Sequence, residues 1–142
     1  MTRVDFYLLP GVQRQDALLF SCRLAEKAYQ LGHRVFIHTQ DDTQAQQLDD
    51  LLWSYRGERF LPHQIRSLTG EGAPIEVGHT EEAGDHHDLL INLADRIPDC
   101  FGRFTRVAEI VTNHEDAKRQ SRDNYRFYQQ RGYPMHTHRI RG

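Results

Sequence analysis

The chain is poor in most of the residues that announce chemistry. Its 142 residues include only two cysteines, Cys22 and Cys100, 78 positions apart. With no second pair they form neither a disulfide framework nor a zinc-ligand spacing, and two reduced thiols are expected. There is no apolar run of some eighteen residues, so no membrane-spanning helix is expected. The opening Met1-Thr2-Arg3-Val4-Asp5 places an acid where a secretion signal needs its apolar stretch, which points to a cytoplasmic protein. Neither sign of charge dominates, with 18 basic and 20 acidic residues and a formal net charge of -2, and that balance excludes a general nucleic-acid binder. The apolar share of 38% and mean hydropathy of -0.72 are modest but above the disordered class, and the length suits one domain spanning residues 1–142.

What is present is an alternation of short apolar runs with helical patterns, the signature of an α/β fold. Val4-Asp5-Phe6-Tyr7-Leu8-Leu9 reads as a strand closed by Pro10-Gly11. Over 14–31, Leu18, Cys22, Ala25 and Tyr29 share a face with Ser21, Leu24 and Ala28, predicting an amphipathic helix ended by Gly32. A strand over 34–39 follows at once, completing a βαβ unit. Asp41 and Gln44 resemble a capping box opening a second helix, with Ala45, Leu48, Leu51, Leu52 and Tyr55 as its buried stripe. Between 56 and 74 periodicity fails, and a long, mostly irregular connection is expected. Strands over 75–78, 89–93 and 106–111, a helical turn over 98–104 and a last helix opening near Asn113 and stopping before Gly132 complete the reading. The tail from His136 onward either adds an edge strand or frays. The fold expected is a three-layer, Rossmann-like, mostly parallel sheet with helices on both faces.

A search for catalytic machinery finds little. After the first strand the chain reads Pro10-Gly11-Val12-Gln13, with no further glycine to let a pyrophosphate approach and no Lys-Ser or Lys-Thr. No nucleotide-binding loop is expected, and no cofactor. The pairs His86-His87 and His136-Thr137-His138 fall on a polar loop and a terminus and read as solvated rather than metal-ligating. No serine occupies a nucleophile elbow, and Ser21 and Cys22 lie inside a helix. Asp41-Asp42, Asp49-Asp50 and Glu81-Glu82 suit caps, exposed helix and loop. No catalytic residue and no metal ligand is assigned.

Two surfaces do not look like core. From Thr112 onward the chain carries seven basic and three acidic residues, +4, against -6 before it. Within that part Lys118, Arg122, Tyr125, Arg126 and Gln129 share one helix face, an aromatic among three cations. Such a face suits a short acidic peptide with a free C-terminus and an aromatic residue, with Tyr125 and the strand-end Val111 as apolar wall, or else it is only a solvated basic face. The second surface is Trp53 with Phe60-Leu61-Pro62-His63, either an anchor for a partner subunit or a loop folded into its own core.

An ordered series now becomes recognisable: Phe6-Tyr7-Leu8-Leu9, Cys22-Arg23-Leu24-Ala25-Glu26-Lys27-Ala28, Gly32-His33-Arg34-Val35-Phe36-Ile37, Asp49-Asp50-Leu51-Leu52-Trp53, Phe60-Leu61-Pro62-His63, Gly72-Ala73-Pro74-Ile75 and Asp88-Leu89-Leu90-Ile91-Asn92-Leu93. It resembles the chi-subunit family of bacterial DNA polymerase III, accessory proteins of the clamp loader, over nearly the whole chain. The resemblance implies a non-catalytic module of DNA replication. It would bind the acidic C-terminal tail of single-stranded-DNA-binding protein (SSB) and bridge it to the psi subunit. The tail-binding positions match Val111, Lys118, Arg122, Tyr125 and Arg126. The aromatic partner-binding positions, for psi or a repair helicase, match Trp53, Phe60 and Pro62. Thr112-Asn113-His114 departs from the aromatic or proline usual in relatives and implies a more polar lip to the tail pocket. Two other readings stand beside this one. One is a small enzyme acting on a nucleotide or phosphorylated metabolite through a degenerate Rossmann site. The other is direct nucleic-acid binding by the last helix, and little is expected because no stacking platform accompanies it.

Overall fold

The computed structural model describes residues 2–55, 61–65, 73–80 and 85–141. Among these, seven strands form one parallel sheet: β1 (Arg3–Leu8), β2 (Val35–His38), β3 (His63–Ile65), β4 (Ile75–Gly78), β5 (Leu89–Asn92), β6 (Arg106–Val111) and β7 (Met135–Arg139). Their order across the sheet is β3-β4-β2-β5-β6-β1-β7. The helices are α1 (Arg14–Gln30), α2 (Asp42–Ser54) and α3 (Glu115–Gln130), with a 3-10 turn at Asp99–Arg103.

The helices divide between the two faces for a reason visible in that order. The β1-to-β2 and β2-to-β3 connections run one way across the sheet, while β6-to-β7 runs the other. With one crossover hand, the reversed direction puts α3 on the opposite face from α1 and α2. Strand alternation matches. Val35, Ile37, Ile75, Val77, Leu89 and Ile91 meet Leu18, Cys22 and Ala25 of α1 and Ala45, Leu48 and Leu52 of α2. Val4, Phe6, Phe36, Leu90, Val107 and Val111 meet Tyr128 of α3 and Phe104. Because both faces are covered, β2, β4 and β5 are buried at every position, as the continuous apolar run at Leu89-Leu90-Ile91 implies.

The structure corrects the sequence reading at the connection after α2 and at two histidines, His86 and His138, the latter half-buried with its ring stacked on Tyr7 at 4.8 Å and its Nε2 3.1 Å from Asp5 Oδ1. The connection after α2 contains a strand, β3, which pairs with β4 in the register His63↔Ile75. A three-residue edge strand is too short for periodicity to show. His86 is not solvated: it is buried at 1% exposure, its Nε2 is 2.7 Å from the Ala73 carbonyl and its Nδ1 is 3.1 Å from Glu76. Its partners come from before and within β4, and local polarity cannot reveal them. The tail adds an edge strand, β7, pairing with β1 in parallel from Val4↔Met135 to Leu8↔Arg139. Both α1 and α3 stop where a glycine takes positive φ, Gly32 at 84° and Gly132 at 77°.

Candidate functional site

The outer face of α3 is set by what its inner face holds. Asn124 and Tyr128 are its buried residues. The Asn124 amide donates to the Asp95 carbonyl at 3.0 Å, and the Tyr128 hydroxyl donates to Glu109 Oε2 at 2.7 Å. These two bonds fix the roll of the helix, and the i, i+4 spacing then brings Lys118, Arg122 and Arg126 together beside Tyr125.

Beneath α3 the Tyr128 bond continues as a buried polar chain. Asn92 Nδ2 donates to both Glu109 oxygens at 3.1 and 3.2 Å, and Asn92 Oδ1 lies 3.0 Å from His38 Nδ1. Since the Ala94 amide also donates to Asn92 Oδ1, that oxygen is the acceptor and His38 Nδ1 carries the hydrogen. Burial pushes the Glu109 carboxyl up to about 7 against the pull of the Tyr128 and Asn92 hydrogen bonds. Burial also raises the Tyr128 hydroxyl and lowers His38, whose bond to Asn92 opposes the shift.

On the outer face Tyr125 is 37% exposed and its ring rests on Phe6 of β1 at 5.4 Å. Lys118 is paired with Glu115 at 3.3 Å and Arg126 with Asp123 at 2.9 Å, each within the helix. Arg122 has no ion pair among the described residues, so its guanidinium is available to an incoming anion. Val111 is only 4% exposed and underlies the surface instead of forming a wall of it. Register supplies neighbours that sequence reasoning missed. Thr137 and Arg139 of β7, both exposed, are paired with Phe6 and Leu8 and so stand on the α3 side of the sheet. Alternation in the tail hints at this, but only the parallel pairing with β1 decides it.

The second predicted surface lies at the other side of the sheet. Trp53, in the last turn of α2, is 59% exposed, and Pro62 is half-buried at the entrance to β3. Phe60 lies outside the described residues.

A third feature is a crevice of about 570 Å³ at the carboxyl ends of the strands, where β1 and β6 send their helices to opposite faces. It is lined by Val12 and Arg14 after β1, Gln40 and Gln44 after β2, and Thr112 and His114 after β6. In such folds the helix N-termini at this edge can hold phosphate. Here each is already occupied, by a carboxylate at α1 and α2 and at α3 by the His114 ring, whose Nδ1 accepts from the Asp116 backbone N–H at 3.2 Å. The Gln13 backbone N–H donates to Asp16 Oδ2 at 3.0 Å, and the Gln44 backbone N–H donates to Asp41 Oδ1 at 2.8 Å. Glu115 and Asp116 occupy the first turn of α3. A β-carbon at Gly11 would lie 2.1 Å from the Asp16 carboxylate, so that glycine makes room for an acid and not for a phosphate. No group of three or more His, Cys, Asp or Glu among the described residues could hold a metal ion, and none of their helices is long and apolar enough to cross a membrane.

An open, all-parallel α/β sheet whose helix N-termini are capped by its own side chains, with a basic helix face on one side and an exposed tryptophan on the other, defines a Rossmann-like protein without a nucleotide-binding loop. The pattern of the family described as DNA polymerase III chi subunit, HolC, matches residues 1–136. Relatives named DNA polymerase III subunit chi are 44% identical over 140 residues in Pseudomonas aeruginosa, covering 99% of this chain and 98% of the relative. In Escherichia coli the identity is 32% over 146 residues, with 96% and 97% covered, and in Haemophilus influenzae 30% over 141 residues, with 96% of each. The chain belongs to the DNA polymerase III chi subunit family, a family of DNA-replication proteins.

Proposed function

We propose that this protein is a non-catalytic accessory subunit of a DNA polymerase III assembly, and that it links the acidic C-terminal tail of SSB to the psi subunit. The tail docks on the outer face of α3, and psi, or a repair helicase, docks on the surface of Trp53, Phe60 and Pro62. The observation that carries the tail site is Arg122: an unpaired guanidinium between two cations and beside a half-exposed tyrosine fits a carboxylate followed by an aromatic side chain. Each contact alone is weak in water, and a tether between a polymerase and a DNA coat bearing many tails gains through effective concentration.

The test is a titration with a fluorescent acidic peptide ending in Asp-Ile-Pro-Phe, beside an amidated control. Binding should require the free carboxylate and weaken with salt. Arg122→Ala should cost at least about tenfold in affinity, the scale of a lost charge-assisted hydrogen bond, with an unchanged melting temperature because Arg122 is exposed. A variant that binds like the parent removes the site assignment.

A further inference from the structure

An aromatic side chain that is 59% exposed has little to hold it in one orientation, yet Trp53 has a built support. Its ring meets that of His63 at 4.7 Å and an interplanar angle of 65°, an edge-on contact. The His63 side chain is fully buried. Its Nδ1 is 2.6 Å from the Leu61 carbonyl, and since a carbonyl only accepts, Nδ1 carries the hydrogen. Its Nε2 faces Asp49 Oδ1 at 3.5 Å. Asp49 and Trp53 stand at i and i+4, one above the other on α2, so the imidazole is clasped between the helix that carries the tryptophan and the chain entering β3.

From this geometry we infer that His63 is the positioning residue of the Trp53 surface, an inference that rests on the reading of that surface as a docking site. The imidazole is a fixed plate that holds the indole in its docking orientation before the partner arrives. Ordering a large aromatic side chain is a cost of binding, and a ring already restrained avoids part of it. Pro62, next in the chain to both Leu61 and His63, restricts the same segment, so indole and proline are presented from one stiffened corner.

Trp53 is the chain's single tryptophan, so its fluorescence reports the support directly, without a partner. His63→Ala should at least double the rate of acrylamide quenching of Trp53. It should weaken binding of purified psi subunit by about tenfold and leave the α3 tail-peptide affinity unchanged, the last serving as the control for folding. His63→Phe, which returns a flat ring without the two polar contacts, should recover part of both losses. Quenching in His63→Ala that matches the parent overturns the inference, as does a looser Trp53 with undiminished psi binding when Trp53→Ala abolishes it. Should His63→Ala fail to fold, Asp49→Ala carries the test: releasing the Nε2 side should raise quenching, and no change overturns the proposal. Trp53→Ala that leaves psi binding intact marks failure of the docking reading itself, separately from the quenching result.

Discussion

At the residue scale the most consequential side chain is Glu109, because its burial ties stability to pH. Its carboxyl is raised from the ordinary 4.5 to about 7. The stability it contributes is therefore complete below about pH 4.5 and is lost as pH rises toward 7, by roughly 3 kcal/mol at about 1.4 kcal/mol per unit. His38 and His86 run the other way. Burial holds both below the usual histidine value, so their contribution is complete above pH 6.5 and is lost as pH falls below it through their lowered values. The difference between the parent and Glu109→Gln isolates the carboxyl. Urea midpoints from pH 4.5 to 8 should show the parent losing stability relative to the variant as pH rises, and parallel profiles would contradict the assignment. None of this is readable from the sequence, where Arg106-Val107-Ala108-Glu109 looks like any strand with one outward acid. Glu109 points inward because α3 covers that face, and it is tolerated there because Asn92 and Tyr128, 17 and 19 positions away, both donate to it.

At the element scale α3 carries its own competitors. Glu115 and Asp123 hold Lys118 and Arg126 by i, i+3 pairs at 3.3 and 2.9 Å, and an acidic peptide must displace them. Exposed pairs of this kind are worth a few tenths of a kcal/mol. Glu115→Gln and Asp123→Asn should therefore each tighten tail binding about twofold at low salt. Asp116→Asn, which frees Arg119 at the edge of the binding face, should do less. Equal gains from all three, measured with the same peptide, would mean that net charge alone governs the site. The basic face was legible beforehand because helical periodicity is local, and it places 118, 122, 125 and 126 together without knowledge of the fold. That Val111 is sealed beneath that surface, and that Thr137 and Arg139 stand beside it, was not legible, because both depend on the strand neighbours of β1.

At the scale of the whole molecule the two proposed docking surfaces are kept apart by the sheet. Trp53 belongs to α2, beside β3 at one edge, while Tyr125 rests over β1, five strands away, on the opposite face. At about 4.8 Å per strand that is roughly 24 Å across the sheet. Sites so separated are expected to act independently. Saturating psi should change tail-peptide affinity by less than about twofold, and a tenfold change would show that the sheet couples them. Such independence would suit the proposed bridge, which must hold both ends at once.

Much of the molecule follows from local pattern. Helix stripes, the caps at Asp41, Gly32 and Gly132, the apolar run at Leu89-Leu90-Ile91 and the missing glycines after Pro10-Gly11 all act within a few residues, through sterics, hydrogen bonding and periodicity. They were enough to define an α/β protein without a phosphate loop and to single out both surfaces. Tertiary structure decided what pairs at long range. The strand order comes from the direction of each crossover, and β3 exists because β4 offers it an edge. Buried polar residues such as His63, His86 and Glu109 are stable only because partners distant in the chain satisfy them. Those partners meet after the sheet has formed, and burial then turns an ordinary-looking glutamate, Glu109, into the support that holds α3 through Tyr128, and an ordinary-looking histidine, His63, into the ring that Trp53 meets.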